Sequence, residues 1–200
     1  CITNCQPTMP RPADPSLPFH ILAAAYGLWS EGGEDEVTIR NVARRAATST
    51  PTVYAHFVDR AAIMRGVRKL ARGRFEAALD KATSMLDGCA RVLDFAVAFP
   101  RDYELLFGYG YRERADPDRQ VAEFAAFEGH IRQAGVREPD VRPTALAIAS
   151  LLHGTAMFQL SQKAPDERWQ EFRSATLDAC ATLLAAKSVG PAKPTRSRTR

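Results

Sequence analysis

The chain contains no run of about 18 apolar residues, so no segment suits a membrane-crossing helix. It also lacks any alternation of apolar and polar residues over the length of a strand, which argues against a sheet-based fold. The four cysteines, Cys1, Cys5, Cys89 and Cys180, include no CxxC pair, so neither a zinc site nor a paired redox motif is spelled out. No GxSxG, no HExxH and no glycine-rich phosphate cradle occurs. These gaps point away from an enzyme and imply no metal and no cofactor. Acid is missing in two places. From Arg60 to Arg74 there are six basic residues and no Asp or Glu, and the stretch from Lys187 to Arg200 holds five basic residues and again no acid. Those five exceed the net charge of +4, so the body without them is slightly acidic and only local bias points to a polyanionic partner.

What is present is apolar material at helical spacing. Two hundred residues with 46% hydrophobic content suffice for one small domain and one larger one. Residues 1–18 carry five prolines and no signal-peptide stretch, and read as a disordered arm. Cys1 in place of Met suggests a trimmed or misassigned start. Beyond residue 60, breaks at Gly88, Pro100, 108–117, 135–143 and Pro165 leave helical segments at about 60–86, 89–99, 101–108, 117–134, 142–162 and 166–187. Three shorter helices before them bring the expected total to nine and the fold class to all-α. The domain reading is 19–66 for a small N-terminal domain, 67–187 for a larger helical one, and 188–200 for a basic disordered tail.

The densest signal lies between Thr38 and Arg60. Ile39, Val42, Ala43 and Ala46 recur at i, i+3, i+4 and i+7, on one face of a short helix with Thr38 as its N-cap. Ser49 starts a second helix, with Pro51 in the first turn where no amide donor is missed. Only Val53 and Phe57 of that helix look inward, leaving Thr50, Thr52, Ala55 and His56 outside. A helix of about two turns is unstable unless docked on its neighbours. One so exposed fits the second helix of a helix-turn-helix, whose N-terminal side chains meet base edges in the major groove.

The stretch resembles the DNA-binding domain of the TetR-type (tetracycline-repressor-like) regulators over residues 19–66. The segment from Ile21 to Trp29, then Gly32-Gly33 and Val37-Thr38-Ile39, is similar to that family's first helix, glycine stop and entry to the second helix. Tyr54, His56, Phe57, Asp59, Arg60 and Ile63 follow its Tyr-x-His-Phe-x-(Asn/Asp/Ser)-(Lys/Arg)-x-x-Leu pattern. One departure stands out: Ala47-Thr48 replaces the usual Gly-Val, so a position suited to positive φ lacks glycine. The resemblance implies that Thr50, Pro51, Thr52 and Ala55 face base edges, with Thr38, Arg40, Tyr54, His56 and Arg60 on the sugar-phosphate backbone. It also implies a cytoplasmic repressor that binds a near-palindromic operator in double-stranded DNA as a homodimer and answers to a small-molecule effector.

The larger domain offers material for both remaining roles. Eight of the seventeen aromatic residues fall between positions 95 and 127. Phe95, Phe99, Tyr103, Phe107, Tyr111, Phe124 and Phe127, with His130, His153 and Met157, are the candidate lining of an apolar effector pocket, the alternative being a solid core. Tyr103 to Phe107, together with Leu152-His153-Gly154, is similar to a TetR-type C-terminal subgroup marked by Trp-His-Gly, with Leu152 where tryptophan is usual. Ala145, Ala149, Leu152 and Ala156, with Phe172, Thr176, Ala179 and Leu183, are the candidate dimer interface on the last two helices, the alternative being that these stripes face only the chain's own core. Two other function classes stay open: a thiol-based redox-sensing regulator acting through Cys89 or Cys180, and an enzyme on a helical scaffold.

Overall fold

The computed structural model describes residues 14–108, 117–162 and 166–187. Among these are nine α-helices, one short 3-10 turn and no strand. The chain divides into two compact units between Val67 and Arg68.

The first unit holds α1 (Leu17–Gly32), the 3-10 turn (Glu34–Glu36), α2 (Ile39–Arg45), α3 (Thr50–His56) and the opening turns of α4 (Arg60–Leu79). Leu17 and Pro18, expected in the disordered arm, belong to α1, because proline in a first turn costs no helical hydrogen bond. Residues 1–13 of the arm and 188–200 of the basic tail lie outside the described residues. The face of α1 made by Ile21, Ala24, Ala25, Leu28 and Trp29 is buried, and Val37, Val42, Val53, Ile63 and Val67 complete a core with no exposure at all. Phe57, expected beside Val53 in that core, is only half-buried because it ends α3 in an extended conformation. Ile39 and Ala46 are also half-buried. At Gly66, α4 passes so close to α1 that a Cβ would collide with the Leu22 side chain.

The turn between α2 and α3 depends on one residue. Thr48 N–H donates to the Ala43 carbonyl at 2.9 Å and Ala47 N–H to the Arg44 carbonyl at 3.3 Å, the two bonds of a Schellman closure. Such a closure needs a left-handed residue, and Ala47 takes that place at φ 51°. Its Cβ meets the neighbouring carbonyl at a cost of about 1–2 kcal/mol. Ala47→Gly is therefore expected to raise the unfolding free energy by up to about 1 kcal/mol, the greater entropy of the unfolded glycine chain offsetting the rest. Denaturant titration checks it, and an unchanged or lower midpoint means that the turn is unstrained.

The second unit holds the remainder of α4, α5 (Met85–Ala98), α6 (Pro100–Phe107), α7 (Pro117–Gln133), α8 (Val141–Gln162) and α9 (Asp166–Lys187). Helix α4 ends at Leu79, short of the expected 86, and Gly88 is no break but lies within the first turn of α5. Ser84 caps α5 by accepting from Asp87 N–H at 3.1 Å, while Asp87 accepts from Thr83 N–H at 2.8 Å. These two side-chain caps on the first turn outweigh the low helix propensity of Gly88. Helix α8 packs against α5, α7 and α9, so the core runs along it through Ala145, Ile148, Leu152 and Ala156.

Candidate nucleic-acid interface

Two hydroxyl caps position α2 and α3. Thr38 Oγ1 accepts from Asn41 N–H at 3.1 Å, and Ser49 Oγ accepts from Thr52 N–H at 3.2 Å while lying 2.7 Å from Thr52 Oγ1. With Val53 fully buried, Thr50, Pro51, Tyr54, Ala55 and His56 are exposed, and Tyr54 is 55% so. Positions 50, 51, 54 and 55 share one face of α3. Thr52 is half-buried beside Ser49, at the margin of that face. Thr38 and Arg40 are exposed on α2.

The basic side chains divide into two groups. Arg45 forms a bidentate pair with Glu31, both bonds at 2.6 Å, and its guanidinium holds the Glu31 carboxyl below the usual range by direct hydrogen bonding. Arg60 is committed as well. Its Nε donates to the Val37 carbonyl at 2.7 Å, Nη2 to the Glu34 carbonyl, and Nη1 to Glu34 Oε1 at 3.2 Å. These bonds give Arg60 an internal role: it clasps the segment between α1 and α2 to the start of α4. Further along the basic run, Arg72 is buried in an ion pair with Glu123 of α7 at 2.9 Å. Arg74 pairs with buried Asp102 of α6 at 3.7 Å and lies over the Phe99 ring at 4.5 Å. Arg40, Arg44, Arg65 and Lys69 remain exposed. Arg44, which the sequence reading passed over, bonds Asn41 Oδ1 at 2.9 Å on the last turn of α2.

The aromatic region forms one cluster and one separate pair. Phe95 meets Phe99 at 5.2 Å and Tyr103 meets Phe107 at 4.9 Å between ring centroids. Phe75 of α4 joins the two pairs, 5.1 Å from both Phe95 and Phe107. Sequence reading missed Phe75 because it stands outside the enriched stretch. Phe95 and Tyr103 are buried, Phe75 and Phe107 are half-buried, and Phe99 is exposed. The Tyr103 hydroxyl lies 3.3 Å from His153 Nδ1 of α8, and burial pushes the Tyr103 hydroxyl up and the His153 imidazole down. Phe124 and Phe127 pair at 6.2 Å on α7, with Arg142 over Phe124 at 5.5 Å. His130 is exposed and Met157 half-buried, while Tyr111 lies outside the described residues.

The small-residue stripe turns inward. Ala145, Leu152 and Ala156 are buried within the chain, and Thr176 is buried with its hydroxyl 2.7 Å from that of Thr155. These four were expected at a dimer interface, but in the single chain α8 packs against α5, α7 and α9, and α9 against α5 and α8, which leaves them little free surface. Ala149, Ala179 and Leu183 are half-buried, and Phe172 is exposed. The outer face of α8 and α9 instead carries Leu146, Phe158 and Phe172, with the Phe158 and Phe172 rings 4.6 Å apart.

Comparisons with known proteins agree with this two-unit architecture. The profile of "Bacterial regulatory proteins, tetR family" matches residues 21–67, and that of "Tetracyclin repressor-like, C-terminal domain" matches residues 85–184. No curated protein matches the chain. A solved transcriptional regulator from Rhodococcus sp. Rha1 has a TM-score of 0.69 at 17% identity, over 87% of this chain and 99% of that one. A TetR-family transcriptional regulator from Pectobacterium atrosepticum has a TM-score of 0.61 at 22% identity, over 87% of this chain and 95% of that one. A TetR from Streptomyces coelicolor scores 0.61 at 20% identity, over 84% and 95% respectively. At such identities the structures speak for the fold, whereas the two profiles together span most of the chain. The chain belongs to the TetR family of transcriptional regulators, which are DNA-binding proteins and not enzymes.

Proposed function

We propose that this regulator is a repressor that binds a near-palindromic operator as a homodimer in the cytoplasm and leaves it when a small apolar or amphipathic effector binds the second unit. The observation that carries the reading is the outward face of α3, where Thr50, Pro51, Tyr54 and Ala55 stand exposed on a helix fixed by Ser49 and anchored by Val53. Hydroxyl and methyl groups at these positions suit base edges and thymine methyls, while Thr38, Arg40, Tyr54 and His56 suit the backbone. Arg60 is not among the contacts; exposed Arg44 takes its place.

Effector response rests on two supports. The aromatic cluster of α4, α5 and α6 has a polar edge at Tyr103 and His153. Helix α4 also carries Arg72 and Arg74, whose partners Glu123 and Asp102 stand on α7 and α6, so an effector that disturbs these pairs acts on the helix that begins with Arg60. Release requires an effector that favours the conformation less suited to DNA. The dimer face is the exposed side of α8 and α9, with Leu146, Phe158, Phe172 and the half-buried Ala149, Ala179 and Leu183.

Selection of bound sequences from random DNA, followed by titration, tests the reading. The full chain is expected to enrich an inverted repeat with half-sites about one helical turn, or a multiple, apart. Thr50→Ala and Thr52→Ala are each expected to cost about 1 kcal/mol per half-site on the selected operator and almost nothing on scrambled DNA. Equal losses on both DNAs would place these residues off the bases, and failure to enrich any sequence would overturn the proposal.

A further inference from the structure

Cys89 of α5 and Cys180 of α9 were weighed in the sequence as separate thiols, but the fold places them together. Both are free and fully buried, at 1% and 0% exposure, where helices α5 and α9 pack. Arg173 Nε of α9 donates to Asp94 Oδ1 of α5 at 2.8 Å, which holds the two helices side by side, and the Cys89 and Cys180 side chains lie within interaction range of each other between them. Buried cysteine often serves as a small apolar side chain. Two that meet across a helix pair have a second chemistry.

We propose that Cys89 and Cys180 form a modification site, a buried dithiol that hydrogen peroxide converts into a disulfide joining α5 to α9. Proximity differentiates the two sulfurs: the interaction with Cys89 lowers the Cys180 thiol toward its thiolate, while the interaction with Cys180, together with burial, pushes the Cys89 thiol up. Cys180 sulfur attacks one peroxide oxygen, the O–O bond breaks, and sulfenic acid and hydroxide result. Cys89 sulfur then gives up its proton and attacks the sulfenic sulfur, and water leaves as the S–S bond forms. In total two thiols lose two hydrogen atoms and one peroxide becomes two waters. Peroxide enters by local opening of the helix pair, so closure is slower than at an exposed thiol.

The test uses the full-length reduced protein, treated with hydrogen peroxide, alkylated and digested with trypsin. Cys89 falls in peptide 82–91 and Cys180 in peptide 174–187, while Cys1 and Cys5 share the first peptide and are read separately. The expected product is a covalent pair of 82–91 with 174–187 that dithiothreitol separates and that is missing from Cys89→Ser and Cys180→Ser. Its formation is expected to raise the thermal midpoint reversibly. Sulfinic acid on either cysteine without the paired peptide, or unmodified Cys89 and Cys180 after Cys1 and Cys5 have reacted fully, would overturn the proposal. Because the product is mapped in the unaltered chain, the result does not depend on either variant folding.

Discussion

Arg60→Ala is expected to destabilise the first unit by about 2 kcal/mol and to weaken DNA binding about tenfold on every sequence, with the salt dependence of binding unchanged. The magnitude follows from what the guanidinium holds: the Val37 carbonyl, the Glu34 carbonyl and the Glu34 carboxylate, in a part-buried setting. Charge-assisted hydrogen bonds contribute roughly 1.5–3 kcal/mol each when buried. The Arg60 and Glu34 side chains retain 40% and 35% exposure, so water replaces much of what is lost and the sum is well below three full bonds. The loss concentrates on Val37, whose residue has no exposure and whose carbonyl loses its guanidinium partner. A phosphate contact behaves otherwise, since each one removed lowers the slope of log affinity against log salt by about 0.9. Arg40→Ala provides that contrast, with a shallower slope and unchanged stability. Amide exchange at Val53 and titrations at several salt concentrations separate the two cases. A shallower slope with full protection for Arg60→Ala would return Arg60 to the DNA backbone.

The contrast between Arg60 and its neighbours shows where sequence stopped being informative. The start of α2, the start of α3 and the turn between them were legible because their chemistry is local: Thr38 and Ser49 bond amides three residues on, and Ala47 closes a turn on Ala43 and Arg44. Arg60 finds its partners at Val37 and Glu34, across a turn and two helices, and a basic residue after a reading helix looks the same whether it faces phosphate or carbonyl. The same limit hid the link of Phe75 to Phe95 and Phe107, and that of Cys89 to Cys180. On α8 the difficulty was different. Leu146 and Phe158 lie on its exposed side and Ile148 and Leu152 on its buried side, so apolar residues surround the helix and no stripe announces the core. Small residues at Ala145 and Ala156 allow close approach, but composition does not say whether the approaching helix comes from the same chain or another. The start of α5 was legible and was misread: Ser84 caps the Asp87 amide and Asp87 the Thr83 amide, a local signal that the neighbouring Gly88 obscured.

Turning the outer face of α8 and α9 polar is expected to have the largest effect on operator binding. The variant Phe158→Glu with Phe172→Glu places two carboxylates where two rings meet at 4.6 Å, on residues that are 39% and 38% exposed in the single chain. The chain itself loses one partly exposed ring pair, about 0.5–1.5 kcal/mol, and keeps its helices. A dimer that buries this face has to desolvate four carboxylates around its symmetry axis, which costs several kcal/mol. The variant is therefore expected to sediment as a monomer at micromolar concentration. Operator affinity should fall roughly a hundredfold or more, because a single short reading helix buries too little surface for tight specific binding. Gly154→Leu sharpens the test. Gly154 is exposed on α8, and a Cβ there meets nothing within 4 Å in the chain, so the side chain starts out into solvent. Replacing a mid-helix glycine raises helix propensity by up to about 1 kcal/mol. The single chain should thus become more stable while its dimer weakens, two shifts of opposite sign that general damage to the fold cannot produce. Equilibrium sedimentation with thermal unfolding of the same samples reads both, and a dimer that persists in both variants moves the interface away from α8 and α9.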